Sequence, residues 1–316
     1  MTTDRLKVFS SALYVGIVGD ALGVPVATST REELALCAVK NMLGYGRFDQ
    51  PEGTWSDDTS LILCTMESLQ RGYDLEDMGA TFCKWLFESY WTPRGFVFDV
   101  GLTTFMALDN LRSSSTSAKI SGCKTEDDNG NGSLMRILPA ALFFHSRPVD
   151  EFLGIIHDIS GITHVHPRAK MGCGIYSLLI RQLISSDDKE KSYHAAVTEA
   201  LEFYSQHEEF KNELPYYLRI LSYQIPKLDE SEIQSSGYVV DTLEASIWCF
   251  FQYATTKEIV LAAVNLGLST DTNGMVAGAL GGLFYGLDSI PPEWFESLAR
   301  KPEIDQLVST FVKSIP

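Results

Sequence analysis

Positive charge is what this 316-residue chain has least of: 25 Lys and Arg stand against 41 Asp and Glu, a formal net charge of −16. A surface of that sign repels phosphate backbones and anionic lipid, so neither nucleic acid nor a membrane is an expected partner. A phosphorylated ligand would have to be held by backbone N–H groups, a metal ion or a few placed cations. Cysteine is scarce as well. Cys37, Cys64, Cys83, Cys123, Cys173 and Cys249 are scattered with no CxxC pair. Four of them fall in apolar helical patterns, which reads as reduced core cysteine and excludes a disulfide framework or a zinc site. Met1–Lys7 is not a basic-then-apolar leader, and no apolar run stands out as long enough to span a bilayer. The expected compartment is therefore the cytoplasm. Sustained period-two alternation is missing too, which argues against a sheet.

Helical spacing takes its place. Leu6, Phe9, Leu13 and Ile17 fall on one face of a first helix. A second is expected after Ser56-Asp57-Asp58. Others are expected over 78–86, 103–111, 152–162, 171–184, 193–204, 243–253 and 259–266, and the last strong run is 275–287. Several are apolar nearly all round, as interior helices of a large bundle are. The last run carries Gly278, Gly281 and Gly282, which cost helix stability and point to close approach of a neighbour. The longest loop-like stretch, Ser113–Asp128, has periodic segments on both sides. The expectation is an all-α chain forming a single domain over residues 1–316.

Five short runs carry chemistry. Thr54-Trp55-Ser56-Asp57-Asp58-Thr59 packs five oxygen-bearing side chains ahead of a helix. Hard cations such as magnesium want such oxygens, but Ser or Asp before a helix also makes an ordinary N-cap. Ser269-Thr270-Asp271-Thr272-Asn273-Gly274 repeats the pattern and the ambiguity. Asn129-Gly130-Asn131-Gly132-Ser133-Leu134-Met135-Arg136 is a glycine turn that lets backbone approach a ligand, or simply a turn. Arg136 behind it reads as a structural ion partner. In Thr163-His164-Val165-His166-Pro167 the histidines lack further His or Cys partners for a metal. A neutral imidazole against ribose or phosphate suits His164 better, with a satisfied structural histidine as the alternative. Last, Gly237-Tyr238 before a helix offers an aromatic that could stack on a base or belong to the core.

Taken in order, these runs resemble the ADP-ribosylglycohydrolase family. The matching stretches are Gly19-Asp20-Ala21-Leu22-Gly23-Val24-Pro25-Val26, Trp55–Thr59, Asn129–Arg136, Thr163–Pro167, and Ala263–Gly267 through Thr270-Asp271-Thr272 to Gly282. They cover nearly the whole chain. The resemblance implies an all-α fold with a central acidic cleft and two magnesium ions. Its metal ligands would be Ser56, Asp57, Asp58, Asp271 and Thr272. Gly130, Asn131, Gly132, Ser133 and His164 would hold the diphosphate and nearby ribose of ADP-ribose or an ADP-ribosylated protein. Gly237 and Tyr238 would lie near the adenine. Asp57, Asp58 and Asp99 would be the candidate catalytic acids and bases, Asp99 beside the reacting ribose.

Two positions depart from the family's pattern. Ala27 stands where a glutamate is usual, and Ser269 where the later run usually begins with aspartate. Three carboxylates then remain to face up to four positive charges, and fewer anionic ligands hold a hard cation less well. The expected activity is hydrolysis of the glycosidic bond to an ADP-ribosylated side chain, arginine first. The alternative is a binding module that keeps the ADP-ribose cleft with catalysis weakened or lost. A purely structural role is third, because a structural protein has no use for clustered carboxylates that repel one another.

Overall fold

A computed structural model describes residues 3–114 and 116–316, with side chains described for 5–113 and 116–316. The N-terminal part forms α1 (Thr3–Gly23), α2 (Arg31–Leu36), α3 (Asp57–Arg71), α4 (Leu75–Glu88) and α5 (Leu102–Ser114). The middle forms α6 (Leu138–Phe144), α7 (Val149–Gly161), α8 (Pro167–Ser185), α9 (Lys189–Tyr204), α10 (Glu208–Lys211) and α11 (Leu218–Leu221). The remainder forms α12 (Val239–Gln252), α13 (Thr256–Asn265), α14 (Thr270–Tyr285), α15 (Pro292–Glu296) and α16 (Lys301–Ser314). Among the described residues there is no strand. Three isolated bridges pair Tyr45 with Gln50, Cys123 with His164 and Gly130 with Tyr238.

The core is organised around α1 and α14, which pack against each other along their length. Both are apolar on most faces, and small residues let them approach until backbone meets backbone. A β-carbon added at Gly274 would lie 2.5 Å from the Gly19 carbonyl, and one at Gly282 would lie 2.5 Å from the Ser11 carbonyl. Each glycine costs a helix roughly 1 kcal/mol relative to alanine, and this contact is what offsets it. The contact also sets the site, because it brings Asp20 near the end of α1 alongside the first turn of α14.

Length alone corrects one expectation. The segment Arg5–Val26 is long and apolar enough to cross a bilayer, but 78% of its most apolar window is buried inside the protein. Its apolar surface is spent on α14, α13 and α16.

α3 starts where capping chemistry says it should. Ser56 has extended backbone, its hydroxyl accepts the Asp58 N–H, Asp57 and Asp58 occupy the positive end of the helix dipole, and Arg71 lies in the last turn. Gly72 ends it at φ 119°, a conformation that suits glycine. The sequence-based series stops short of α16, although Ile304, Leu307, Val308, Phe311 and Val312 recur at helical spacing and are buried. It also omits α6, whose seven residues are too few and too uniformly apolar to show a period.

Candidate active site

The first turns of α3 and α14 and the loops before α5, α6 and α12 enclose a cleft of 490 Å³. Asp57 and Asp58 enter from α3, Asp271 and Thr272 from α14, and Asp99 from the loop before α5. Gly130, Asn131 and Gly132 form a second wall with His164, and Gly237 closes one end. Ala27 and Ser269 also line it. A larger groove of 760 Å³ lies between α4 and α5, but there Lys84 and Arg112 stand among Glu76 and Glu88. Chemistry, rather than size, singles out the smaller cleft, because it gathers Asp57, Asp58, Asp99 and Asp271.

Asp20 sets the acidic wall. Its carboxylate accepts the Ser56 N–H at 3.0–3.1 Å, the Thr59 N–H at 3.0 Å and the Thr59 hydroxyl at 2.6 Å. The start of α3 is therefore clamped to α1, and Asp57 and Asp58 are aimed by that clamp. Thr272 reaches across from α14 to donate to Asp58 Oδ1 at 3.4 Å. The Asp271 carboxylate accepts the Thr272 N–H at 2.8 Å.

The electrostatics of this wall are unfavourable as they stand. Burial raises Asp57 and Asp58 well above the usual carboxylate range, and the neighbouring carboxylates raise them further. Burial also raises Asp271. Asp99 is pushed to about 6 by burial and then by Asp271, with Arg47 opposing. Asp20 is pushed to about 7 by burial and Asp271 against the pull of its hydrogen bonds. Such a cluster is stabilised by a cation. Asp58 Oδ2 is buried and has no hydrogen-bond partner. An orphaned carboxylate oxygen beside further hard oxygens fits a divalent metal of the magnesium type. Among the described residues, however, no three His, Cys, Asp or Glu side chains already converge into a metal cage.

The second wall is held together by Asn131. Its amide donates to Thr242 Oγ1 and to Ser269 Oγ, both at 2.9 Å, and its backbone N–H donates to the Gly237 carbonyl at 2.9 Å. One residue thus ties the glycine turn to α12 and α14. A β-carbon at Gly132 would lie 3.0 Å from both His164 Cε1 and Thr104 Oγ1, so only glycine fits here without displacing the wall. The turn is followed by irregular backbone and then the short α6, so it offers no long helix dipole to an anion.

Other expected site residues stand behind the cleft. Ser133 is fully buried, and its hydroxyl meets Cys173 Sγ at 3.3 Å and Ser160 Oγ at 2.9 Å. Ser56 has its hydroxyl engaged in capping α3. Tyr238 is half-buried behind Gly237, and its hydroxyl accepts from Arg168 Nη1 at 3.2 Å. Arg168 is itself bound to Glu213 at 2.7 Å and to Glu126. Arg136 is fully buried in a structural role, donating to the Ile159 carbonyl and to Thr163 Oγ1. His166 caps α8 and lies 3.4 Å from Glu126.

The model of the family described as ADP-ribosylglycohydrolase matches residues 1–316. The chain belongs to the ADP-ribosylglycohydrolase family. Members of this family are glycosidic-bond hydrolases. The chain is 28% identical over 321 residues to ADP-ribosylarginine hydrolase Tri1 of Serratia proteamaculans (strain 568), covering 99% of this chain and 81% of that protein. It is 32% identical over 296 residues to the ADP-ribosyl-[dinitrogen reductase] glycohydrolase of Rhodospirillum rubrum, covering 92% and 90%. A solved structure described as an ADP-ribosylglycohydrolase-related protein complex superposes with a TM-score of 0.82 at 28% identity, covering both chains entirely. The expected all-α architecture and family are thus both found.

Against the family background, Asp20 is the functional residue that local pattern reading passes over. It lies inside a matching stretch, but its partners are 36 and 39 residues away. Only the three-dimensional clamp reveals its use.

Proposed function

We propose that this ADP-ribosylglycohydrolase releases ADP-ribose from arginine-linked ADP-ribosylated proteins, as one domain over residues 1–316 and with the help of magnesium. The observation that carries the reading is the meeting of Asp57, Asp58, Asp99 and Asp271 opposite the Gly130–Gly132 turn and His164. Among the described residues lining that cleft there is no Lys or Arg. The name of the Serratia relative supports the arginine linkage, and that of the Rhodospirillum relative supports an ADP-ribosylated protein as substrate. The acidic surface and the buried α1 support a cytoplasmic setting.

In this reading Asp57, Asp58, Asp271 and Thr272 would hold magnesium, with Ser56 contributing through its place at the start of α3. When bound, the ion supplies charge that orients the ribose hydroxyls and polarises a water. The glycine turn and His164 hold the diphosphate through backbone and ring N–H groups. Gly237 leaves room at the adenine end, with Tyr238 behind it. Asp57, Asp58 or Asp99 takes the proton of the attacking water. The water oxygen bonds to C1 of the distal ribose as the C1–nitrogen bond breaks. The electron pair leaves with the guanidine nitrogen, which is protonated as it departs.

The test is release of ADP-ribose from arginine- and serine-linked peptides, each with magnesium and with chelator. Release from the arginine peptide that requires magnesium is expected. Binding of ADP-ribose with no release under either condition would replace hydrolysis with the binding-module reading that Ala27 and Ser269 favour. Preferential release from serine would overturn the linkage.

A further inference from the structure

His164 is nearly fully buried yet forms part of the cleft wall, so which ring nitrogen bears the proton decides what it can offer a ligand. The answer follows from hydrogen-bond accounting behind the ring. Arg136 Nη2 donates to Thr163 Oγ1 at 2.7 Å, and Thr163 Oγ1 lies 2.7 Å from His164 Nδ1. Both Arg136 and Thr163 are fully buried. Arginine has only donors, so Thr163 must accept from it. The hydroxyl then has one proton to place, and among the described residues its other neighbour is His164 Nδ1. Were Nδ1 protonated, the hydroxyl would accept twice and its own proton would be stranded without water. Leaving a buried donor unpaired is costly, because its lost hydration goes uncompensated.

We infer that Arg136 and Thr163 are positioning residues that fix His164 in the tautomer protonated on Nε2, presenting a single N–H donor to an oxygen of the ligand beside the glycine turn. The geometry agrees on the cleft side. A β-carbon built at Gly132 would lie 3.4 Å from Nε2 and 3.0 Å from Cε1, so this edge of the ring faces the turn. The guanidinium is held independently: it donates to the Ile159 carbonyl at 3.2 Å and lies 4.6 Å from the centre of the Phe82 ring. The ring stays uncharged, because burial and then Arg136 lower its pKa to about 3, with Asp128 opposing. Its role toward ligand is that of a fixed neutral donor rather than an acid that titrates near neutrality. That the oxygen belongs to ADP-ribose rests on the proposed function, whereas the tautomer does not.

The experiment is a two-bond proton–nitrogen correlation spectrum of protein labelled with ¹⁵N-histidine, without ligand, with His164 assigned by its loss in His164→Gln. The expected spectrum has a bare Nδ1 and a protonated Nε2. Thr163→Val should erase that preference and weaken ADP-ribose binding about tenfold, or about 1.4 kcal/mol, while Thr163→Ser should keep both. A protonated Nδ1 in the parent overturns the inference, as does Thr163→Val with an unchanged tautomer. If Thr163→Val does not fold, the parent spectrum still decides the tautomer, and Thr163→Ser must reproduce it. Absence of ADP-ribose binding alongside a tautomer that depends on Thr163 would remove the ligand reading and leave the relay standing.

Discussion

The starts of α3 and α14 face the same cleft but are held in opposite ways. α3 is secured by its own cap and by one residue: Ser56 Oγ accepts the Asp58 N–H, and Asp20 accepts from Ser56 and Thr59. α14 has no side-chain cap. It is secured from outside, by Asn131 to Ser269 Oγ, Thr270 Oγ1 to the Gly23 carbonyl, and Asn273 Nδ2 to the Ser235 carbonyl. The difference teaches which oxygens are left for a cation. On α3 the hydroxyl accepts one helix N–H, which uses one of its two lone pairs, and the two acids face the cleft. On α14 the first hydroxyl is taken by the opposite wall, and Asp271 is the acid that remains.

The strongest way to break this comparison is to remove one acid and one cap separately. Asp57→Asn should lower hydrolysis about 10²- to 10⁴-fold, the usual contribution of a positioned acid or base. It should leave the melting temperature unchanged or higher, because it relieves repulsion in a buried cluster. Ser56→Ala should instead cost about 1 kcal/mol of stability through the lost cap, with a much smaller effect on rate. Turnover assays and thermal melts on the pair check this, and equal rate losses would erase the distinction between cap and acid.

Ala27, which follows α1, and Ser269, which precedes α14, stand where the resemblance implies acids, and restoring them sharpens the comparison. Ala27→Glu combined with Ser269→Asp adds two hard oxygens to the cleft. Magnesium affinity should rise on the order of tenfold, about 1.4 kcal/mol, and turnover should rise with it. Calorimetry with magnesium reads the first and ADP-ribose release the second. No gain in either would mean that these positions do not face the cation.

The smallest expected effect comes from a buried acid outside the cleft. Glu244 on α12 lies 3.4 Å from Arg219, yet burial raises it from 4.5 to about 7. A raised folded-state pKa gives a stability contribution that is complete below pH 4.5 and is lost as the pH rises through about 7. The parent melting temperature should therefore fall by a few degrees between pH 5 and 8. Glu244→Gln should remove its own share of this fall with or without magnesium, whereas the share from Asp20 and Asp99 in and beside the cleft should respond to magnesium. A magnesium-dependent change at Glu244 would blur the line drawn between cleft and core.

Much of this architecture is legible along the sequence. Apolar spacing locates the longer helices from α1 to α14, and the oxygen-rich runs at Ser56–Asp58 and Ser269–Thr272 both lie at helix starts, although only Ser56 caps its helix with a side-chain oxygen. What stays hidden depends on partners distant in the chain. Asp20 gains its use from backbone N–H groups on α3. Ser133 turns into the core because Cys173 and Ser160 receive it there, although its neighbours Asn131 and Gly132 line the cleft. Tyr238 is drawn behind Gly237 by Arg168, and no local pattern near residue 238 announces that arginine.

The central claim is that hydrolysis depends on a cation held between these two helix starts. Its most direct test is the rate of ADP-ribose release from an arginine-linked peptide as a function of free magnesium, for the parent and for Asp271→Asn side by side. The account predicts a saturable rise in the parent and, in the variant, a rise that is abolished or moved to much higher magnesium. A parent rate that ignores magnesium, or the same midpoint in both proteins, would contradict it.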